Sequence, residues 1–346
     1  MLVSSAKLPS VKRHHLRNRV VVKRGLALTA TESTAFPPYD GPSFLFVGEG
    51  SHAPPGSIGV DGLVPGAALH LSHWRGNQTP MDLKADTSTE IALNFVQSPY
   101  FQRWQGRPLV NNHFDTDGVL SAWTCLNSGE ALLNKDLLIA AAEAGDFGEW
   151  PTDERGLWID AAITKIGADA DDEPLAYERA FTLVPQLLHA LKEYRHLWGP
   201  LEDALGAAKK AVNDGRITVL LRGHLGVIIR EPGAPELHAP LITRMLKRCW
   251  RYLLAEQTPT GQFLYRYELP YHAWADTVVR PAVPIPDPQA LQAELGSEWG
   301  TSHLAGLTAV IGTVAPISAP PERIIQILEA CDGELRAGAA HKFNRY

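Results

Sequence analysis

Pro108-Leu109-Val110-Asn111-Asn112-His113-Phe114-Asp115-Thr116-Asp117-Gly118 starts as a short apolar run and stops in a string of polar residues. The pattern predicts a buried strand that ends at a functional edge. Phe114 to Gly118 would be the turn, and Val119 to Leu126 the first turns of a helix. His113, Asp115 and Asp117 alternate, so extended backbone sends all three to one side. Two carboxylates a few ångströms apart repel, and one tends to take up a proton. A divalent cation removes that penalty. An imidazole–carboxylate mixture suits manganese, iron or zinc better than calcium. Gly118 permits a sharp turn ahead of the helix.

Two other readings compete. A calcium loop of EF-hand type would put His113 first and Thr124 twelfth. That loop wants Asp first and a bidentate Glu last, so it is discarded. An ordinary capped turn, with Asp115 or Asp117 as N-cap, remains open.

The neighbouring elements extend the strand into a sheet. Phe44-Leu45-Phe46-Val47 and Ala67–Leu71 read as strands. Thr87-Ser88-Thr89-Glu90 fits a capping box, with a helix through about Val96. Leu137–Ala142 is a further buried element running into Asp146, and Leu157–Asp160 a short strand or helix start. Residues 174–196 carry apolar side chains at helical spacing. Strands alternating with helices imply an α/β fold with a mainly parallel sheet flanked by helices. The pattern changes after Asn213-Asp214-Gly215. A hairpin (Ile217–Leu221, Leu225–Ile229), a helix from about Pro240 to Glu256, a strand at Gln262–Leu269 and a helix at Pro321–Ala330 suggest a second, smaller α+β domain. The expected domains are a basic, disordered tail (1–35), an α/β metal-binding domain (36–215) and a closing domain (216–346).

The segment His113-Phe114-Asp115-Thr116-Asp117-Gly118-Val119-Leu120-Ser121 resembles the first motif of the DHH phosphoesterase superfamily, in a diverged branch. That superfamily includes single-strand exonucleases, nanoRNases and cyclic-dinucleotide phosphodiesterases. The resemblance is specific over about ten residues and loose over residues 65–215. It implies a parallel α/β domain, a two-metal site that usually holds manganese, and a second domain closing over the substrate. It also implies that His113 and Asp115 hold one metal and Asp117 the other. A bridging Asp at the end of a later strand would be Asp146, with Asp160 second. The Asp-His-His triplet and the glycine-rich GGGH-type motif are absent from this sequence.

Composition bounds the remaining readings. The 346 residues are 45% hydrophobic and 20% charged, an ordinary globular mix. Residues 1–31 carry seven Lys/Arg and no acid, leaving 25 basic and 38 acidic residues elsewhere, a net of -13. That acidic body disfavours a long nucleic acid as partner and favours a small anionic substrate. The basic head alone would suit RNA, a membrane surface or a targeting role. No apolar run reaches the roughly 20 residues of a membrane span. Three scattered cysteines fit a reducing cytoplasm. P-loop, GxGxxG, GxSxG and HExxH motifs are missing, which lowers kinases, Rossmann dehydrogenases, serine hydrolases and zincins.

His73, Arg75 and Asn77 form a polar loop at a strand end, where open α/β sheets bind ligands. With His224 and Arg280 they are the candidates for positioning an anionic substrate. The expected activity is that of a metal-dependent hydrolase acting on a small phosphoester or short oligonucleotide, with Mn²⁺ foremost and Mg²⁺, Fe²⁺ or Zn²⁺ as alternatives. The rivals are a non-catalytic ligand- or metal-binding descendant of the DHH fold and a metal-dependent enzyme of a biosynthetic pathway. A homo-oligomer is compatible with either.

Overall fold

The structure, a computed structural model, describes residues 41–335 apart from Pro42, Glu49, Arg248, Ala305 and Glu334. The expected tail 1–35 lies outside the described residues. Strands β1 (Phe44–Phe46), β2 (Ile58–Val60) and β3 (Leu69–Leu71) precede helices α1 (Ser88–Gln97) and α2 (Pro99–Trp104). Then come β4 (Leu109–Asn111) and helices α3 (Thr116–Leu126), α4 (Ser128–Leu133), α5 (Lys135–Phe147), α6 (Arg155–Asp169), α7 (Glu173–Ala190) and α8 (Arg195–Asn213). The four strands pair in the order β1-β4-β2-β3, every pairing parallel. β4 is central, as its apolar run predicts, and all three of its residues are buried.

All four strands run the same way, so their carboxyl ends share one edge. Asp61 follows β2, His73 comes two residues after β3, and His113 comes two after β4. Ligand sites of open α/β sheets lie at this edge. α1 begins there too. Thr87 caps it by accepting the Glu90 amide at 3.2 Å. The expected box closes differently, because the Glu90 carboxylate reaches the amide of Asp86 rather than that of Thr87.

Several expectations are corrected. Leu137–Ala142 belongs to α5, whose run of alanines is a strong helix former. Asp146 therefore stands in the last turn of a helix and not at a strand end. Gly148, in the left-handed region, stops that helix. Leu157–Asp160 lies inside α6. The helix expected over Pro240–Glu256 is two elements, α9 (Ala239–Met245) and β7 (Arg251–Gln257). β2 went unread because Ile58-Gly59-Val60 is short and centred on glycine.

The second region is built on a mixed sheet. β5 (Ile217–Arg222) and β6 (Leu225–Arg230) form the expected antiparallel hairpin. β6 then pairs with β7 in parallel, and β8 (Phe263–Glu268) follows antiparallel. With α10 (Pro288–Leu295), β9 (Trp299–Gly300), β10 (Ala309–Thr313) and α11 (Pro321–Cys331) the strand order is β5-β6-β7-β8-β10-β9. The chain is thus α/β, with a parallel sheet and helices in one region and a mixed sheet in a second. One large apolar cluster packs β1–β4 against α1, α3, α5, α6 and α7, and separate clusters fill the second region. No helix among the described residues is long and apolar enough to cross a membrane.

The two regions meet at the sheet's carboxyl edge. Trp74 and Ala275 form an antiparallel bridge, and the Asp276 amide donates to the His73 carbonyl at 2.7 Å. Residues 273–280 therefore lie directly beside the polar residues at the strand ends.

Candidate metal centre

Asp61 is where the strand ends converge. Its carboxylate is fully buried, and among the described residues it is the one non-glycine residue with positive φ, at 60°. Such a conformation costs of the order of 1 kcal/mol or more, and Asp tolerates it better than most residues. A Cβ on the following Gly62 would overlap the side-chain oxygens of Asn112 and Asn111, so the tight approach requires glycine. Asn111 fixes the edge from the other side. Its Oδ1 accepts from the Gly62 amide, and its Nδ2 donates to Tyr177, whose hydroxyl donates to the His113 carbonyl.

Two groups of metal-ligating atoms share Asp61. One is Asp61, His73, Asp117 and Asp146; the other is Asp61, His113 and Asp115. Within each group the ligand atoms lie within 4.8 Å of one another. His73 Nε2 is 3.6 Å from Asp61, 3.6 Å from Asp117 and 3.0 Å from Asp146. Its other nitrogen, Nδ1, is 2.5 Å from the Asp86 carbonyl. That contact fixes Nδ1 as the donor and turns the Nε2 side toward the carboxylates. An outer carbonyl orients metal-bound histidines in the same way. His113 repeats the pattern. Nδ1 faces Asn112 Oδ1 at 3.1 Å, and Nε2 lies 2.7 Å from Asp61 and 3.0 Å from Asp115.

Asp117 is held differently. Both of its oxygens accept backbone amides at the start of α1, from Ser88 and Thr89, each at 2.7 Å. A carboxylate at a helix N-terminus is favoured by the unpaired amides and by the dipole. Asp115 caps α3 through the Gly118 amide at 2.7 Å. The capped-turn reading therefore holds for Asp115, which also faces His113. The helix begins at Thr116, so His113, Asp115 and Asp117 do not alternate along a strand. Asp115 turns to His113, and Asp117 turns to His73.

The electrostatics are unbalanced. Four carboxylates and two imidazoles share this small volume. Two like charges 4 Å apart repel by about 4 kcal/mol at an effective dielectric of about 20. Burial and the Asp61 charge push Asp117 up to about 7, and burial with Asp117 raises Asp146 well above the carboxylate range. Burial works against the charge on Asp61, yet His113 and His73 hold its pKa below the ordinary value. Burial also opposes the imidazolium forms, but the carboxylates win. Asp146, Asp117 and Asp61 push His73 up to about 10, and Asp61 and Asp115 push His113 up to about 11. The cluster is thus kept near charge balance by protons on its rings and on Asp117 and Asp146. Asp146 Oδ2 faces His73 Nε2 at 3.0 Å and Asp61 Oδ2 faces His113 Nε2 at 2.7 Å, so these buried atoms meet one another as ion pairs. A divalent ion bound between the carboxylates and the two Nε2 atoms would take the place of the protons that hold these pairs together. The donor set fits a divalent cation.

Several expected roles change on this geometry. Asp146 does reach the edge of Asp117, but the carboxylate common to both groups is Asp61, and Asp146 belongs to the His73 group alone. His73 sits inside the acidic cluster instead of facing an external anion. Asp160 lies outside both groups, accepts from Thr116 at 2.6 Å, and is pushed by burial to about 6. Arg75 donates to the Ala273 carbonyl at 2.6 Å, and Asn77 to Trp74 and Asp276, so both tie the loop to the second region. His224 sits in the turn between β5 and β6, where its carbonyl accepts the Trp250 amide, outside both groups. Arg280 is buried among Asp86, Glu143 and Glu149, so its guanidinium is enclosed by carboxylates instead of being presented to a substrate.

The sequence reading missed Asp61. The available signal was Val60-Asp61-Gly62, an Asp-Gly pair after an apolar strand, as in Asp117-Gly118. Trp274, one of the polar-aromatic run Tyr271–Arg280 that the sequence marks as a candidate cleft lining, has its ring 5.0 Å from that of His73, edge to face, while Trp74 lies 5.0 Å from His113. With Phe147 these indoles form an apolar wall beside the carboxylates. Asp115 and His113, with 38% and 25% of their side chains exposed, are the accessible rim.

Residues 42–309 match a family described as a family of unknown function (DUF6687). No curated protein matches the chain. Among solved structures, a pGpG-specific phosphodiesterase, PggH from Vibrio cholerae, is similar at 12% identity. The match covers 82% of this chain and 84% of that one, with a TM-score of 0.40, too distant a likeness to bear on function.

Proposed function

The chain belongs to the DUF6687 family, and for it we propose a divalent-metal-dependent hydrolase acting on a small phosphoester or short oligonucleotide. The observation that carries the reading is Asp61, a fully buried carboxylate shared by two carboxylate–histidine groups at the carboxyl ends of the strands. Asp61, His73, Asp117 and Asp146 would hold one ion, and Asp61, His113 and Asp115 a second. Bound there, such ions supply Lewis acidity toward a phosphoryl oxygen and make water more acidic. The chain's own residues do the rest. Asp117 anchors the site to the start of α1, His73 is oriented by Asp86, and the Trp74–Trp274 wall excludes water on one side. Asp115 and His113, at the rim, meet the substrate first and orient it toward the second ion. The phosphoryl preference rests on the resemblance of His113–Ser121 to the DHH phosphoesterases. Manganese is the first choice of ion, and the cytoplasm the compartment. We place the boundary between a metal-binding and a closing domain near residue 215.

The absent Asp-His-His triplet favours one second reading, a descendant that binds metal without hydrolysis. Elemental analysis of protein purified without chelators, followed by hydrolysis assays on bis(p-nitrophenyl) phosphate and a dinucleotide with added Mn²⁺, separates the two. Metal with turnover that chelation removes supports the hydrolase. Metal without turnover supports the descendant, and protein that neither contains nor takes up divalent metal overturns both.

A further inference from the structure

Asp86 touches both sides of the molecule with one residue. Its backbone carbonyl accepts from His73 Nδ1 at 2.5 Å. Its carboxylate accepts the amides of Val278, Val279 and Arg280, and Nη1 of Arg280 at 2.7 Å. The same guanidinium reaches α5 and the turn after it. Nη2 donates to Glu143 at 2.8 Å, and Nη2 and Nε donate to Glu149 at 2.6 and 2.8 Å. Its plane lies over Phe147, with the central carbon 4.5 Å from the ring centroid. Glu143, Phe147 and Glu149 bracket Asp146 on both sides in sequence. Arg280 is only 5% exposed.

We propose that Arg280 is a positioning residue that holds His73 and Asp146 together in one ligand set, by way of Asp86 on one side and Glu143 and Glu149 on the other. The inference rests on the metal reading above. The turn after β3 and the end of α5 supply the two ligands separately, and the guanidinium hydrogen-bonds to the residues that flank both. Only a planar fork engages three carboxylates in this way; an ammonium is a point charge with a different reach. A buried Arg with three carboxylates is also expensive to break, because each partner left behind is a desolvated charge. The loop that supplies Arg280 comes from the second region, so the ligand geometry depends on that region being docked.

The test compares Arg280→Met, Arg280→Lys and Asp86→Asn with wild type. Mn²⁺ affinity is read by titration calorimetry on folded protein. The hydrogen-bonded Hδ1 resonance of His73 is read by NMR on metal-free protein. Arg280→Met should weaken Mn²⁺ binding about 10- to 100-fold, the usual cost of losing an outer partner, and shift the His73 resonance. Arg280→Lys should recover only part of the loss. The Arg280→Met/Asp86→Asn pair should lose less than the product of the two, since both act through one contact. Unchanged affinity with an unchanged His73 resonance in folded Arg280→Met overturns the proposal. If that variant does not fold, Glu149→Gln, at a partly exposed carboxylate, takes its place; weaker binding supports the proposal and equal binding overturns it. Wild-type protein that binds no Mn²⁺ sinks the metal reading separately, and the His73 resonance still reports whether Arg280 sets that ring.

Discussion

Arg251 and Asp61 are both fully buried charged side chains, and their surroundings differ. Arg251, at the start of β7, has Nε on Asp332 at 2.8 Å, Nη1 on the Trp250 carbonyl and Nη2 on the Pro284 carbonyl. Tyr267 donates to the same Asp332 oxygen. One positive and one negative group meet, and each nitrogen of the guanidinium has a partner. Around Asp61, four carboxylates meet two imidazoles, and burial with like charge pushes Asp117 and Asp146 above the carboxylate range. The first arrangement is a structural solution, complete within the protein. The second holds together only while protons sit on its rings and carboxylates, and a divalent ion could take their place. Burial alone does not tell the two apart; the crowding of like charge does.

The comparison breaks most easily at Asp61. Asp61→Asn should reduce Mn²⁺ affinity by more than the roughly 100-fold upper range for an outer partner, because the residue belongs to both ligand groups. Titration calorimetry reads the loss directly. Asp146→Asn should lose metal too, yet raise the melting temperature of metal-free protein near pH 8. Burial and Asp117 disfavour the Asp146 charge in the fold, and the amide removes that cost. A metal-free Asp146→Asn protein less stable than wild type would mean that Asp146 is a structural ion-pair partner of His73.

The next effect belongs to the other site. Arg251→Met leaves Asp332 buried without its cation and should cost about 3–5 kcal/mol in a denaturant titration, with Mn²⁺ affinity unchanged in the folded fraction. Weakened metal binding would show that the second region's core, and not only its docked loop, shapes the ligand set.

A smaller effect separates the sites by pH. With His73 at about 10 and His113 at about 11, both rings carry protons at pH 7 in metal-free protein. Both folded values lie above the unfolded 6.5. The stability they lend is therefore complete below about pH 6.5 and is lost as pH rises through 10 to 11. Metal needs the neutral rings, so binding should expel protons, and affinity should rise between pH 6 and 8 by up to about tenfold per unit for each proton released. Calorimetry in buffers of different ionisation enthalpy counts those protons. Affinity independent of pH would mean that these rings are not ligands.

The sequence exposed this contrast unevenly. β4 and the His113–Gly118 edge were legible because a short apolar run met a dense string of chemically special residues. Leu137–Ala142 misled, since a buried apolar run has no periodicity of its own and only its alanines favour helix. Asp61 was hidden by the brevity of β2 and by a backbone conformation that no side-chain pattern reports. Arg280 read as a substrate cation because its three carboxylates come from residues 86, 143 and 149, and pairings over such distances leave no local mark. His73 was noticed, but its role depends on the Asp86 carbonyl, and a backbone carbonyl has no sequence signature.

The smallest expected effect asks whether the acidic site depends on the helix it leans on. Thr87 satisfies the Glu90 amide, while Asp117 takes the Ser88 and Thr89 amides of the same helix start. The two caps differ in kind. Thr87 is a local hydroxyl whose loss exposes one amide, and Asp117 is a long-range carboxylate that faces His73 as well. Thr87→Ala should therefore cost about 1 kcal/mol, the usual loss for an N-cap, and lower the melting temperature modestly. The Asp117 contacts do not pass through the Thr87 hydroxyl, so Mn²⁺ affinity should stay at the wild-type value. If affinity falls along with stability, the start of α1 is held by both caps jointly. Asp117 then needs an already ordered helix end before it can turn its carboxylate toward His73.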